Sequence, residues 1–138
     1  MLKSLAGPKQ RSDPMIKLVF CLRRQAQLTR EEFQRYWHDN HGPLVRKHAA
    51  ALRMHRYVQA HTLGGGLTDA LRASRGAPEA YDGVAEVWWR SEEDLVEATA
   101  SEAGRAAGQE LLEDERKFID LAHSPLWLCR ERPLLDGS

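Results

Sequence analysis

Three stretches of the chain alternate apolar and polar residues with a period of two, the pattern of strands that bury one face. In the first stretch every second residue from Ile16 to Leu22 is apolar, whereas the opposite face is apolar only at its centre. A fourth, shorter stretch is a nearly continuous apolar run. The predicted strands are residues 15–23, 54–62, 83–90 and 125–131.

Apolar residues at three- and four-residue steps predict helices between these strands. The clearest helix begins at Thr29, whose side chain can cap the backbone N–H of Glu32 while the Glu32 carboxylate reaches back. Gly42-Pro43 interrupts its pattern, so we expect two helical pieces, residues 30–40 and 43–52, with a bend between them. Further helices are predicted over residues 68–74, with Thr68 as the cap, 91–100 and 102–121.

The main elements follow the order strand, helix, strand, strand, helix, strand. With right-handed crossovers this order gives an α+β domain, an antiparallel sheet with both helices on one face. We expect a single domain over residues 15–132. A flexible tail, residues 1–14, precedes it, and a short tail, residues 133–138, follows it.

The sheet face away from the helices carries Val19, Cys21 and one or both of Trp88 and Trp127. A half-apolar surface of this kind needs a partner. Two sheets that pack face to face would bury it, so we expect a homodimer that encloses a barrel-like space.

Composition removes several classes of function. The formal net charge is zero, so the chain has no overall attraction for nucleic acid or for an anionic membrane. The chain has no run of about 18 apolar residues, the length that spans a membrane, so we expect no transmembrane helix. Its two cysteines, Cys21 and Cys129, lie inside apolar strand-like runs, which favours a reducing, cytoplasmic compartment without a disulfide framework.

Histidines are concentrated around the expected bend. His41 lies near the end of a helical piece, where the charged imidazolium is favoured, and an ordinary pKa near 6.5 suits a general acid or base. Alternatively, His41 only caps carbonyl groups that the bend releases. His38 and His41 have a spacing that allows two metal ligands, but no third ligand follows, so we expect no metal.

Polar side chains on two strands are further candidates. Tyr57, Gln59 and His61 share one face of the second strand, which makes that face either part of a pocket or a solvated edge. Glu86 alternates with apolar residues on the third strand. It is either an acid or base with a raised pKa, or one half of an ion pair with a Lys or Arg on a neighbouring strand. Trp37 is either plain core or the wall of a pocket.

A family resemblance follows from these motifs. The run Glu32-Phe33-x-x-Tyr36-Trp37-x-x-x-His41-x-Pro43-Leu44-Val45 resembles the signature of the EthD domain family. Three later segments resemble the family in the same order: residues 56–61, 81–88 and 114–120. The resemblance implies a ferredoxin-like βαββαβ fold and a dimeric α/β barrel. It also implies association with ether and aromatic breakdown, and with polyketide decarboxylation, dehydration or cyclisation.

By this analogy, a small apolar or aromatic ligand lies between sheet and helices, and His41 is the acid or base. Tyr57, His61 or Glu86 would assist catalysis by orienting His41 or the substrate. The substrate-binding candidates are Trp37, His38, Tyr57, Gln59 and Trp88.

The absence of dinucleotide, flavin and metal motifs favours proton transfer without a cofactor. A haem held by one histidine is an alternative, because haem needs little sequence signature. A non-catalytic ligand-binding or accessory dimer, with a structural His41, is another.

Overall fold

The computed structural model describes residues 15–137, and the predicted N-terminal tail lies outside them. Four strands form one antiparallel sheet in the order β2-β3-β1-β4. This confirms the predicted α+β, ferredoxin-like architecture. The strands are β1 (Ile16–Leu22), β2 (Arg56–His61), β3 (Gly83–Trp89) and β4 (Leu126–Cys129).

Helical segments connect the strands. The predicted capping box opens the first of them: Thr29 Oγ1 accepts from the Glu32 N–H at 3.1 Å, and Glu32 Oε1 accepts from the Thr29 N–H at 2.8 Å. The Ser91 and Ser101 side chains cap the last two helices by accepting from the N–H groups of Asp94 and Gly104. The helices are α1 (Arg30–Tyr36), α2 (Gly42–His48), α3 (Gly66–Arg75), α4 (Glu92–Ala100) and α5 (Glu102–Phe118), with a 3₁₀ turn at Leu121–His123.

A π-helical turn, Trp37–His41, joins α1 to α2 where the sequence predicted a bend. The Gly42 N–H donates to the Trp37 carbonyl, so the helix widens by one residue per turn and continues. Pro43 lies in the first turn of α2, where its missing N–H costs little. Gly42 lacks a Cβ and so tolerates the helical conformation ahead of a proline.

The predicted details of α3 were wrong. The helix begins at Gly66, after Gly65 with a φ of 115°, and Thr68 donates its hydroxyl to the Leu63 carbonyl instead of capping a backbone N–H. Its apolar residues Leu67 and Leu71 are 79% and 56% exposed.

The helices cover one face of the sheet, where the core lies. Phe20 and Ala85 on the sheet pack against an aromatic group of Phe33, Trp37 and Phe118. No helix in this part of the chain, residues 15–137, has the length and apolar character needed to cross a membrane.

Small residues set the spacing of these layers. At Gly83 on β3, a Cβ would lie 2.4 Å from the Trp37 ring, so this glycine admits the indole. At Gly104, a Cβ would lie 1.7 Å from the Ala98 carbonyl oxygen. The close contact of Gly104 is therefore between α4 and α5.

The other sheet face carries rows of residues across the strands. One row runs Val58, Glu86, Val19, Trp127, and the next includes Trp88 and Lys17. Lys17 Nζ lies 2.8 Å from Glu86 Oε2, which is the ion pair between neighbouring strands that the sequence offered as an alternative.

Candidate functional site

A cavity of about 90 Å³ lies between the sheet and the helices. Most of its wall is apolar, from Phe20 and Leu22 on β1 to Val45 and Leu111 on the helices. Three lining residues, His41, Tyr57 and Glu115, bring polar groups to this wall. The chemistry available to the cavity therefore depends on how these groups are held.

His41 is held by a carboxylate on α5. It is the last residue of the π-helical turn, is buried, and places Nδ1 2.8 Å from Asp114 Oδ2. The Tyr36 hydroxyl donates to Asp114 Oδ1 at 2.6 Å. Burial alone would raise the pKa of Asp114, but hydrogen bonds from Tyr36 and His41 outweigh it and hold that pKa below the usual range. Asp114 is therefore a carboxylate, and His41 Nδ1 carries the hydrogen that it accepts.

The other ring nitrogen of His41 is available for chemistry. Burial lowers the pKa of His41, and the hydrogen bond to Asp114 offsets only part of that effect. A neutral ring with hydrogen on Nδ1 leaves a lone pair on Nε2. The expectations of a charged imidazolium and of a carbonyl cap were both wrong, because burial dominates and the ring bonds Asp114.

Glu115 lies across from this nitrogen. Its Oε2 is 4.0 Å from His41 Nε2, and we find no hydrogen bond to its carboxyl group from residues 15–137. Burial raises the pKa of Glu115 to about 7; neighbouring Asp114 adds to the increase, and Arg116 opposes it. Near neutral pH the site therefore contains both protonated and ionised Glu115.

The pKa values of the two adjacent carboxyl groups are shifted in opposite directions. Asp114 stays ionised and orients the imidazole, whereas Glu115 can hold a proton at neutral pH. Such a divergence of neighbouring pKa values is characteristic of acid–base sites. His41 Nε2 can accept a proton from a molecule in the cavity, and Glu115 can supply one.

Four of the predicted residues are brought together at one side of the cavity. Gln59 Nε2 lies 2.8 Å from the Tyr57 hydroxyl and 2.9 Å from the Trp37 carbonyl, and His61 Nε2 lies 2.8 Å from Gln59 Oε1. The His61 ring stacks on Trp37, with 4.6 Å between centroids. Tyr57 and Trp37 line the cavity, while Gln59 and His61 lie behind them and line a surface cleft.

The remaining predicted residues lie elsewhere. His38 is exposed in the surface cleft and pairs with Asp39 at 2.9 Å. Glu86 and Trp88 lie on the opposite sheet face, where Lys17 pairs with Glu86 and the Trp88 N–H donates to Glu131 at 2.9 Å. The fold thus separates Glu86 and Trp88 from His41.

The residues and the size of this cavity do not suit a metal ion or a haem group. Within the described range, 15–137, no three His, Cys, Asp or Glu side chains are grouped to bind a metal ion. The space beside His41 Nε2, about 90 Å³, is below the roughly 150 Å³ that admits a benzene molecule and is far too small for a porphyrin.

Comparison with known sequences identifies the family. A sequence model described as the EthD domain matches residues 25–122. The chain belongs to the EthD domain family. No match to the sequence was found among curated proteins.

Solved structures share the fold of this EthD domain. One is an ethyl tert-butyl ether d (EthD) family protein from Bacillus halodurans C-125, with 20% identity, TM-score 0.57, and 86% of this chain and 99% of that chain covered. A dimeric protein of unknown function and ferredoxin-like fold from Bacteroides fragilis NCTC 9343 has 9% identity, TM-score 0.55, and coverages of 86% and 97%. The hydroxynitrile lyase from Passiflora edulis has 17% identity, TM-score 0.50, and coverages of 87% and 97%. At these identities the similarity shows the fold alone.

Sequence reasoning missed Asp114 and Glu115 as site residues. Both belong to the fourth EthD-like segment, and both interrupt the apolar side of α5 between Leu111 and Phe118. Carboxylates at positions where the helical period places core residues were the available signal.

The raised pKa of Glu115 predicts how stability depends on pH. The ordinary value is 4.5 and the folded value about 7, so the folded state binds this proton more tightly. The resulting stabilisation is complete below pH 4.5 and is lost as the pH rises through 7. Glu115→Gln removes this dependence, so relative to wild type it should gain up to about 3 kcal/mol of stability between pH 4 and pH 8.

Urea denaturation across this pH range measures the difference. Glu113→Gln, an exposed neutralisation on the same helix, is the control and should show little pH-dependent gain. A Glu115→Gln difference that is constant with pH would contradict the raised pKa.

Proposed function

We propose that this EthD-domain protein is a small-molecule enzyme that catalyses a proton-transfer step on a small, largely apolar substrate held between the sheet and the helices. One observation carries the proposal: the buried His41–Asp114 pair directs a free imidazole nitrogen toward Glu115 in an otherwise apolar cavity. Burying His41 and Asp114, with Glu115 partly buried beside them, is costly and contributes little that apolar packing would not. Their retention supports a chemical role.

The residues then have distinct roles. His41 Nε2 removes a proton from the substrate, Asp114 orients the imidazole, and Glu115 returns or holds a proton. Tyr57 and Trp37 contact the substrate. Decarboxylation, dehydration, cyclisation or a breakdown step, the reactions associated with EthD-like proteins, each need a proton moved in this way.

Other predicted residues take supporting positions in this proposal. Gln59 and His61 lie behind the cavity wall, and His38 lines the surface cleft. Glu86 and Trp88 belong to the other sheet face and act in the proposed assembly rather than at His41.

Cavity size limits the substrate. About 90 Å³ accommodates a ligand smaller than benzene, so an aromatic substrate requires lining side chains to move. Met54, a flexible side chain on the wall, is suited to such an adjustment. The Passiflora edulis hydroxynitrile lyase supports the idea that this fold accommodates an enzyme for small molecules.

We also propose a homodimer through the open sheet face, where Trp127 is 49% exposed beside Val19. The Bacteroides fragilis neighbour, described as dimeric, supports a dimer of this fold. Light scattering after gel filtration should give twice the chain mass of 15.7 kDa, and Trp127→Asp should shift it toward the monomer. A wild-type monomer at micromolar concentration would contradict the proposed assembly.

Proton abstraction can be tested with small ketones. The wild-type protein should accelerate the exchange of the α-hydrogens of butanone for deuterium in D₂O, followed by ¹H NMR. His41→Gln should reduce the protein-catalysed rate by roughly 10²–10⁴-fold, the usual contribution of a general base.

His55→Gln, a histidine change at an exposed position outside the cavity, is the matched control and should retain the wild-type rate. Urea denaturation confirms that each variant is folded. Equal rates for wild type and a folded His41→Gln variant would argue against His41 as the base and leave a ligand-binding role.

A further inference from the structure

Resting on the proposed function, we infer that Gln59 is a positioning residue that makes Tyr57 present its hydroxyl hydrogen to the cavity, so that the site selects a substrate with a carbonyl oxygen. The inference follows from three hydrogen bonds behind the cavity wall and from what each atom can donate or accept.

The Trp37 carbonyl fixes the orientation of the Gln59 amide. This carbonyl can only accept, and the Gln59 atom 2.9 Å from it must therefore be the amide nitrogen. A flipped amide would place two oxygens against each other. The π-helical turn holds the carbonyl in place, because it also accepts from the Gly42 N–H.

His61 supports the same orientation from the other side. Its Nε2 lies 2.8 Å from Gln59 Oε1, and an amide oxygen can only accept, so His61 Nε2 carries the hydrogen. Gly42 leaves room for this arrangement. A Cβ at Gly42 would lie 3.3 Å from Gln59 Nε2, tighter than ordinary contact.

The orientation of Gln59 determines the polarity of Tyr57. Gln59 Nε2 lies 2.8 Å from the Tyr57 hydroxyl and can only donate to it. The Tyr57 oxygen therefore accepts on its Gln59 side, and its own hydrogen points elsewhere. Because Tyr57 lines the cavity, that hydrogen is available to a bound molecule.

A carbonyl substrate uses this donor together with the base. His41 Nε2 takes a proton from the carbon next to the carbonyl, the C–H bond breaks, and its electron pair moves onto the carbonyl oxygen. The Tyr57 hydroxyl donates to the oxygen as negative charge develops there, as donors do in an oxyanion hole. The proton on His41 then returns to the product or exchanges with Glu115, so that no oxidant or cofactor is needed.

Matched probes test the selection of a carbonyl. Butanone and 2-methyl-1-butene are similar in size, but only butanone has an acceptor oxygen. Tyr57→Phe should weaken butanone binding at least about fivefold and leave 2-methyl-1-butene binding unchanged, as measured by ligand-observed NMR. Gln59→Leu, which removes the amide that holds the Tyr57 hydroxyl hydrogen toward the cavity, should weaken butanone binding selectively, by less than Tyr57→Phe does.

The outcomes separate the two levels of the proposal. If both probes bind and neither variant discriminates between them, the positioning role is overturned while the cavity remains a binding site. If neither probe binds wild type at tens of millimolar, the proposed substrate cavity fails, and the inference with it.

A second measurement does not depend on binding. In protein with ¹³C-labelled tyrosine, Gln59→Leu removes the hydrogen bond donated to the Tyr57 oxygen, so the Tyr57 pKa should rise above its wild-type value. In the wild type, burial raises the pKa of Tyr57, and hydrogen bonds from the side chains of Gln59 and Trp37 offset part of this increase. An unchanged or lower pKa in the variant would show that Gln59 does not donate to Tyr57.

Discussion

The hydrogen bond between His41 and Asp114 is the constraint on which the site depends. It joins the π-helical turn to α5 across the interior, with both side chains largely removed from water. An ionised carboxylate in this position is tolerated only when its oxygens are hydrogen-bonded. Asp114 accepts from His41 on one oxygen and from Tyr36 on the other, so one side chain on α5 and one on α1 together fix the imidazole.

The π-helical turn connects this pair to the second polar group of the cavity. The Trp37 carbonyl has two lone pairs and accepts from both Gly42 and Gln59. One irregular turn therefore supplies His41 at its end and orients Gln59 from its start. π-Helical turns are frequent at functional sites, and here the physical reason is visible: the widened turn provides a second acceptor direction toward the sheet.

Features that depend on residues close together in the sequence could be predicted, whereas those that depend on distant contacts could not. The Thr29–Glu32 capping box is local, and the shared face of Tyr57, Gln59 and His61 follows from the period of a strand; both were predicted correctly. Alternation could not decide which face of β3 is inward, because apolar residues occupy both faces around Glu86. The structure places Glu86 outside the core beside Lys17.

The chemistry of the site depends on contacts that sequence patterns do not specify. His41 and Asp114 are 73 positions apart, and only the packing of α5 against the π-helical turn brings them together. The same burial lowers the pKa of His41, where a charged imidazolium was expected, and raises the pKa of Glu115 to about 7. Neither effect belongs to a residue in isolation, since both come from the removal of water.

The protonation state of His41 is the most direct test of this account. In protein with ¹⁵N-labelled histidine, the His41 signals, assigned with His41→Gln, should show at pH 7 a neutral ring with hydrogen on Nδ1. The neutral form should also persist below the ordinary pKa of 6.5, because burial lowers the pKa of this group. A charged imidazolium at pH 7, or hydrogen on Nε2 of a neutral ring, would contradict the account, because Nε2 would then have no lone pair with which to accept a proton.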